Sequence, residues 1–223
     1  PERRGACRPA VASALPSPTN EIPPYWPWTR SEHIAAMQAA YLKEKHDAGL
    51  NYADYLATDA EKAERWREID GQIDLDDEQR ALLAGFTREM KVICVSGIWC
   101  GDCVQQGPLI QRIADASDRI DLRWLDRDEH IDLAEQLQIN QGTRVPVVLF
   151  LAEDHELVSI YGDRTLTRYR AMAAKQLAAA CPLPGAAVLD DELRGTLQDW
   201  LDEFERVQLL LRLSGRLRQK HGD

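Results

Sequence analysis

Trp99-Cys100-Gly101-Asp102-Cys103 is the stretch that decides the fold of this chain. It follows a short apolar run at 91–95 and precedes a segment with helical spacing at 106–116, so it lies between a strand and a helix. Unpaired N–H groups and the positive dipole end at a helix start favour an anion, so Cys100 should ionise more readily than a free cysteine. Cys103, one helical turn later, is close enough to form a disulfide with Cys100. The stretch therefore predicts a pair of thiols that can form a disulfide and be reduced again.

Composition narrows the class of protein. The 223 residues include 44% hydrophobic residues, which is ordinary for a globular chain with one large domain or one domain with additions. The 27 basic and 37 acidic residues give a formal charge of -10, which argues against nucleic acid or an anionic membrane as the main partner. No apolar run approaches the roughly 20 residues of a membrane span, and Arg8 and Pro9 interrupt any export signal. We therefore expect a soluble, cytoplasmic protein.

The cysteines indicate a functional site rather than a framework of structural disulfides. The chain has only Cys7, Cys94, Cys100, Cys103 and Cys181, and three of them lie within ten residues. A disulfide scaffold of a secreted domain would need more cysteines, more evenly spaced. No second Cys-x-x-Cys and no closely spaced histidine pair completes a zinc site, so we predict neither a metal nor a cofactor.

Four regions follow from the pattern along the chain. Residues 1–30 are rich in Pro, Ser and Arg and predict an irregular arm. Residues 31–90 predict a helical extension, with helix starts at Ser31, at the capping box Thr58-Asp59-Ala60-Glu61 and near Asp76. Strands then alternate with helices over 91–180, which is typical of an α/β domain. Residues 181–223 predict a loop and an amphipathic helix.

The α/β region predicts four strands, at 91–96, 120–125, 146–151 and 157–161, and the last two are spaced for an antiparallel hairpin. Helices are expected at 101–117, 129–137, 165–180 and 190–214. The last of them carries an apolar seam of Leu193, Leu197, Trp200, Phe204, Val207 and Leu211. Because this seam is short, docking on its own domain is favoured over dimerisation, and a monomer or weak homodimer is expected.

This arrangement resembles the thioredoxin fold. Trp99 precedes the first cysteine as in thioredoxins, and Pro108 matches the proline that bends the active-site helix. Val145-Pro146 stands where the family places its cis proline, and Gly162 corresponds to a family glycine beside that surface. The resemblance implies an α/β fold with a thioredoxin-like mixed sheet, helices on both faces, and helical additions at the N-terminus and C-terminus.

A narrower resemblance is to bacterial thioredoxin-like proteins with helices before the domain and a Trp-Cys-Gly-Asp motif. Leu125-Asp126-Arg127-Asp128-Glu129 and Gly142-Thr143-Arg144-Val145-Pro146 resemble that group. Some of its members lack the second cysteine, whereas this chain keeps both thiols. Arg144 could orient an acidic substrate, pair with Asp102 or lie in solvent.

Two residues depart from the usual thioredoxin pattern. Asp102 replaces a proline, and a carboxylate there should oppose thiolate formation at Cys100. We expect Asp102 to lie in solvent and to tune the dithiol. The buried acid of the family's first strand falls on Cys94, which is either a small apolar strand residue or a third exchanging thiol. Deprotonation of Cys103 would then need water or another group such as Asp102.

These residues predict a thiol–disulfide oxidoreductase with Cys100 and Cys103 as the catalytic pair and with Asp102 and Cys94 as tuning residues. The resemblance implies that Trp99, Val145 and Pro146 contact the substrate. The partners would be a protein or small-molecule disulfide and an external electron donor. The alternative is a non-catalytic thioredoxin-like binding module whose helical additions recognise a protein.

Overall fold

The computed structural model describes residues 38–177 and 191–223. Four helices precede the first strand: α1 Ala39–Ala48, α2 Tyr52–Ala57, α3 Ala60–Asp70 and α4 Asp77–Ala84. The central region contains β1 Met90–Ser96, α5 Gly101–Asp115, β2 Ile120–Asp126, α6 Ile131–Ala134, β3 Val147–Ala152, β4 Leu157–Gly162 and α7 Leu166–Leu177. The last region contains α8 Glu192–Leu213 and α9 Gly215–His221. The predicted arm, the predicted loop at 181–185 and the predicted start of the last helix at 190 lie outside the described residues.

The four strands form one mixed sheet in the order β2-β1-β3-β4. Strands β1 and β2 are parallel, whereas β3 is antiparallel to both β1 and β4. Every residue of β3 is buried, which explains its uninterrupted apolar sequence. The sheet confirms the predicted α/β class and the β3–β4 hairpin. It also places the start of α5 at the carboxyl end of the central strand β1.

The helices before the sheet share its core. Tyr55 of α2 stacks on Trp124 of β2 with ring centroids 5.4 Å apart, and Trp66 of α3 meets the same Trp124 edge to face at 5.7 Å. All three side chains are almost completely buried. Aromatic rings in these orientations contribute packing beyond the apolar area they bury. The helical extension is therefore joined to the sheet by a continuous core.

The apolar seam of α8 docks on its own domain. Trp200, Phe204 and the other seam residues from Leu197 to Leu211 are buried, and Leu193 is partly buried. Phe204 meets Phe150 of β3 edge to face at 5.0 Å. The indole Nε1–H of Trp200 donates to the side-chain oxygen of Gln106 in α5 (3.1 Å). The seam thus closes one face of the central domain.

Short elements and helix caps differ from the sequence expectations. Helix α2 was not predicted; Asn51 caps it by accepting a hydrogen bond from the Asp54 amide (2.9 Å). Because α2 ends just before Thr58, that hydroxyl donates to Tyr55 O (2.7 Å), and Asp59 caps α3 instead. The predicted start at Ser31 lies outside the described residues.

The other boundaries are close to those predicted. Asp76 forms the expected cap of α4, in a capping box with Gln79. The helix expected at 129–137 is reduced to α6 and a 3-10 turn at Glu135–Leu137. Helix α9 was not predicted; Ser214 ends α8 and caps α9. Within the described residues, none of the helices has the length and apolar character required to cross a bilayer.

Candidate active site

The two thiols of the Cys-x-x-Cys stretch differ in exposure. Cys100 is the N-cap of α5 and is partly exposed, whereas Cys103 in the first turn is fully buried. The amide of Cys100 donates to Gly97 O and its carbonyl accepts from the Val104 amide, both at 2.9 Å. These bonds hold the Cys100 sulfur beside the free N–H groups at the helix start. A substrate can therefore reach Cys100 more easily than Cys103.

The thiols also differ in acidity. A hydrogen bond from the Cys103 thiol, helped by the amides of Cys103 and Asp102, lowers the pKa of Cys100 to about 6, although burial opposes the shift. Burial raises the pKa of Cys103 well above its ordinary value, and a contact with the Ser96 hydroxyl offsets only part of this. At neutral pH, Cys100 is thus a thiolate and Cys103 a thiol. This is the asymmetry that thiol–disulfide exchange requires of an attacking and a resolving cysteine.

Asp102 does not lie in solvent, so that expectation is wrong. Its carboxylate contacts Arg164 at 2.5 Å and Arg168 at 3.1 and 3.2 Å, and only 15% of the side chain is exposed. We call these three residues the Asp102 clamp. Arg164 follows β4 and Arg168 lies on α7, so the clamp ties both elements to the active-site helix. The two guanidinium groups balance the carboxylate, and its charge raises the pKa of Cys100 less than the hydrogen bonds lower it.

The loop before β3 lies directly against the nucleophile. The Val145–Pro146 peptide bond is cis, and the carbonyl oxygen of Val145 is 3.6 Å from the Cys100 sulfur. Gly162, at the end of β4, has φ +156°, and a Cβ on it would lie 2.6 Å from Pro146 O. Only glycine allows the two backbones to approach so closely. The structure therefore brings Val145, Pro146 and Gly162 to the dithiol.

Trp99 forms an exposed edge beside Cys100. Its side chain is 43% exposed, and the guanidinium of Arg127 lies 4.6 Å from the ring centroid. The ring also covers Gly97, where an added Cβ would lie 2.8 Å from the indole. A cation over an indole face is an attractive contact. Trp99 is thus held in place, while its substrate contact stays a prediction.

Arg144 pairs with Asp163 and not with Asp102. Its Nη1 lies 3.2 Å from the Asp163 carboxylate, and 40% of its side chain is exposed. Asp163 is buried and also contacts Arg164 at 3.3 Å. The proposed pairing of Arg144 with Asp102 is therefore wrong, and the orientation of an acidic substrate by Arg144 stays a hypothesis.

Comparison with known families agrees with this geometry. The sequence profile of the family described as Thioredoxin matches residues 49–176, which is more than half of the chain. The chain belongs to the thioredoxin family. Comparison with curated proteins finds no matching relative.

Two solved structures of similar fold extend over most of this thioredoxin-family chain. A protein of unknown function from Pseudomonas aeruginosa, PA1234, is 18% identical with a TM-score of 0.58, covering 75% of this chain and 96% of that chain. An HIV epitope scaffold is 17% identical with a TM-score of 0.56, covering 75% and 95%. At these identities the similarity shows the fold alone.

Cys94 occupies the first-strand position at which the resemblance places a buried acid. It is fully buried in β1, and burial raises its pKa. A buried neutral thiol fits the interpretation of a small apolar strand residue. Asp102 is held by two arginines, and its use as the group that accepts the Cys103 proton stays a prediction. The tuning role of Cys94 and its use as a third exchanging thiol stay predictions.

Sequence reasoning missed Arg164, Arg168 and Asp163. Arg164 and Arg168 are four residues apart, a spacing that would place two side chains on one face of a helix, although Arg164 lies just before α7. That spacing was the only available signal, and it does not identify Asp102 as the partner. The partner is set by the tertiary approach of α7 to α5, which the local sequence does not encode.

Proposed function

We propose that this thioredoxin-family protein is a thiol–disulfide oxidoreductase that reduces or exchanges disulfides through Cys100 and Cys103. The observation that carries the proposal is the contrast between a partly exposed Cys100 with a pKa of about 6 and a buried Cys103 with a raised pKa. A structural cysteine pair needs no such contrast. The family membership supports the proposal at the level of the fold.

The reaction uses the thiols in sequence. The Cys100 thiolate attacks one sulfur of a substrate disulfide, so a Cys100–substrate disulfide forms, the substrate disulfide breaks and the departing sulfur takes up a proton. Cys103 then loses its proton and attacks the Cys100 sulfur, which releases the second substrate thiol and leaves a Cys100–Cys103 disulfide. An external dithiol returns two electrons and one proton to the pair and releases its second proton to solvent, which restores the Cys100 thiolate and the Cys103 thiol.

The surface around Cys100 suits an extended substrate. The Val145 carbonyl lies next to the attacking sulfur, and the partly exposed Trp99 precedes Cys100 in the chain. We assign backbone contact with the substrate to Val145 and Pro146, and shielding of the sulfur to Trp99. A cytoplasmic location, where thiols are kept reduced, would favour reduction or exchange of the substrate.

A Cys103→Ser variant tests the proposal. Without the resolving thiol, the mixed disulfide on Cys100 should persist, and complexes that dithiothreitol releases should accumulate in cells. The control is the Cys100→Ser/Cys103→Ser variant, which should trap nothing. If both variants capture the same proteins in a form that reductant does not release, the chain is a binding module and the oxidoreductase proposal fails.

A further inference from the structure

We propose that His46, Asp47 and His155 bind a divalent transition metal, with zinc as the best match, at the end of the sheet opposite the dithiol. The dithiol follows the last residue of β1, Ser96. His155 lies in the turn after Ala152, which pairs with the first residue of β1, Met90. His46 and Asp47 are in the last turn of α1. This site is therefore separate from the proposed redox chemistry.

The three side chains converge on one point. Their candidate ligand atoms all lie within 4.8 Å of one another, and the two imidazole ring centroids are 5.4 Å apart. Ligand atoms that share a tetrahedral zinc ion at bond lengths of about 2.0 Å are roughly 3.3 Å apart. To share one ion, the two ligand atoms that are farthest apart must therefore approach each other by roughly 1.5 Å, and side-chain rotation can supply this movement.

The histidines are oriented before any ion binds. His46 is only 4% exposed, and its Nε2–H donates to the carbonyl oxygen of Asp121 (3.0 Å). This hydrogen bond leaves Nδ1 of His46 as the ligand atom, and such a bond to the second ring nitrogen is typical of metal-binding histidines. His155 has φ +64°, and its amide donates to Ala152 O (2.9 Å), which fixes it in a tight turn.

The charged groups around the site are mixed in sign, and the cations among them are already paired with carboxylates. Burial lowers the pKa of both His46 and His155, which is the direction that favours the neutral, metal-binding form of the ring. Asp47 adds one negative charge and now pairs with Lys43, whose side chain is 56% exposed and free to swing away. The other charged groups that face the histidines are Lys91, Arg123 and Asp121, and Asp121 contacts both cations.

The ligand set favours zinc over calcium or magnesium. Two imidazole nitrogens and one carboxylate suit zinc and its neighbours among the transition metals, whereas calcium and magnesium prefer oxygen ligands only. Since His46 lies on α1 and His155 in the β3–β4 turn, the ion would join the helical extension to the sheet. A metal that binds only the folded chain raises its stability.

Zinc binding to the purified full-length chain tests this site. The parent protein should have serine at Cys7, Cys100, Cys103 and Cys181, so that these thiols do not compete for the metal. Isothermal titration with zinc chloride should give one bound ion at micromolar concentrations, and zinc should raise the melting temperature. Asp47→Asn and His155→Asn should each weaken binding at least tenfold, and asparagine tolerates the positive φ of position 155.

The matched control is His130→Asn, which changes a histidine outside the cluster and should leave zinc binding unchanged. Asp47 is exposed, so its variant should fold even if a histidine variant does not. The proposal fails if the parent binds no zinc at micromolar concentrations. It also fails if the folded Asp47→Asn and His155→Asn variants bind zinc as tightly as the His130→Asn control.

Discussion

The Asp102 clamp explains how a carboxylate can stand between two reactive cysteines without suppressing the thiolate. An isolated carboxylate beside Cys100 would raise its pKa. The guanidinium groups of Arg164 and Arg168 place two positive charges next to the Asp102 carboxylate, at 2.5 and 3.1 Å. Charge-assisted contacts to a largely covered carboxylate are also short and directional. The clamp therefore both positions the start of α5 and balances its charge.

Removing the clamp's negative charge should make Cys100 more acidic. In Asp102→Asn the two arginines lose one of their carboxylate partners and keep Asp163 and Glu192. The negative charge nearest Cys100 is gone, so the pKa of Cys100 should fall further and its alkylation by iodoacetamide below pH 6 should become several-fold faster. A stabilised thiolate also stabilises the reduced state, so the reduction potential against glutathione should become more positive. Arg168→Gln is the matched control and should shift both quantities the other way. Parallel shifts in the two variants would contradict this account.

The acidity of Cys100 should also appear in the stability of the reduced protein. Its pKa is about 6 when folded, against an ordinary value of about 8.5 when unfolded. Between these two pH values Cys100 is protonated in the unfolded state and ionised in the folded state. The contribution of Cys100 to the free energy of unfolding therefore increases as the pH rises from about 6 to about 8.5, and it is lost when acid protonates the folded thiolate. Burial raises the pKa of Cys94 and Cys103, so these two thiols lower the free energy of unfolding as the pH approaches about 8.5. Urea unfolding from pH 7 to 8 should therefore show a rise in the parent protein, and Cys100→Ser should lack it.

At the scale of the elements, helices α3 and α5 pack so closely at Gly107 that only glycine fits there. A Cβ on Gly107 would lie 2.0 Å from the Trp66 ring, and the Trp66 indole N–H donates to Ile98 O (3.0 Å), just before the dithiol. The helical extension thus buttresses the loop that carries Trp99 and Cys100. Pro108 follows directly within α5, at the position matched in the resemblance.

Gly107→Ala should therefore destabilise the protein by about 2 kcal/mol, because overpacking a core contact outweighs the small gain in helix propensity. Gly101→Ala, in the same helix, is the control; a Cβ there meets nothing within 4 Å, so the effect should stay within about 0.5 kcal/mol. Urea unfolding of both variants measures the difference. Equal stabilities would show that Trp66 can move aside at no cost.

The sheet could be predicted from the sequence because its apolar runs are long and its turns are marked. Strand β3 is buried along its whole length, so Val147–Ala152 reads as a strand without any tertiary information. Helices α2 and α9 are short and have no long apolar stripe, so they were missed. The positions of Cys100, Cys103, Val145 and Pro146 followed from their motifs.

The residues that could not be predicted depend on tertiary approach. The Asp102 clamp needs α7 to lie beside α5, and the His46 and His155 cluster needs α1 to meet the β3–β4 turn. The residues of each group are distant from one another in sequence, so no local sequence pattern indicates that they meet. The sequence expectation of no metal site was based on the ligands available to complete a site at Cys100 and Cys103.

At the scale of the whole molecule, the additions and the sheet form one core. The match to the thioredoxin family begins at residue 49, inside the predicted helical extension, so the boundary at 90 does not mark where the family resemblance starts. Helix α8 adds Trp200, Phe204 and Val207 to the same core from the other end of the chain. The domain boundaries read from the sequence stay predictions.

A chain that ends at residue 190 should fail to fold cooperatively. It would lose the buried seam of α8 and leave the side-chain oxygen of Gln106 without the Trp200 donor, and an unsatisfied buried acceptor is costly. Thermal unfolding followed by circular dichroism should show a broad or absent transition. A chain ending at Ser214 is the control, since it lacks only α9 and should melt cooperatively at a modestly lower temperature. A sharp, unchanged transition in the shorter chain would show that α8 is dispensable.

The tryptophans differ in solvent exposure, so the fluorescence of the protein can report on its dithiol. Within 38–177 and 191–223, Trp66, Trp124 and Trp200 are fully buried, and Trp99 is 43% exposed beside Cys100. Fluorescence at the red edge of the emission band should come mainly from Trp99 among these four, and formation of the Cys100–Cys103 disulfide should change its intensity. A Trp99→Phe variant should lose that change. Electron transfer through the dithiol could then be followed continuously, without a label or a coupled substrate.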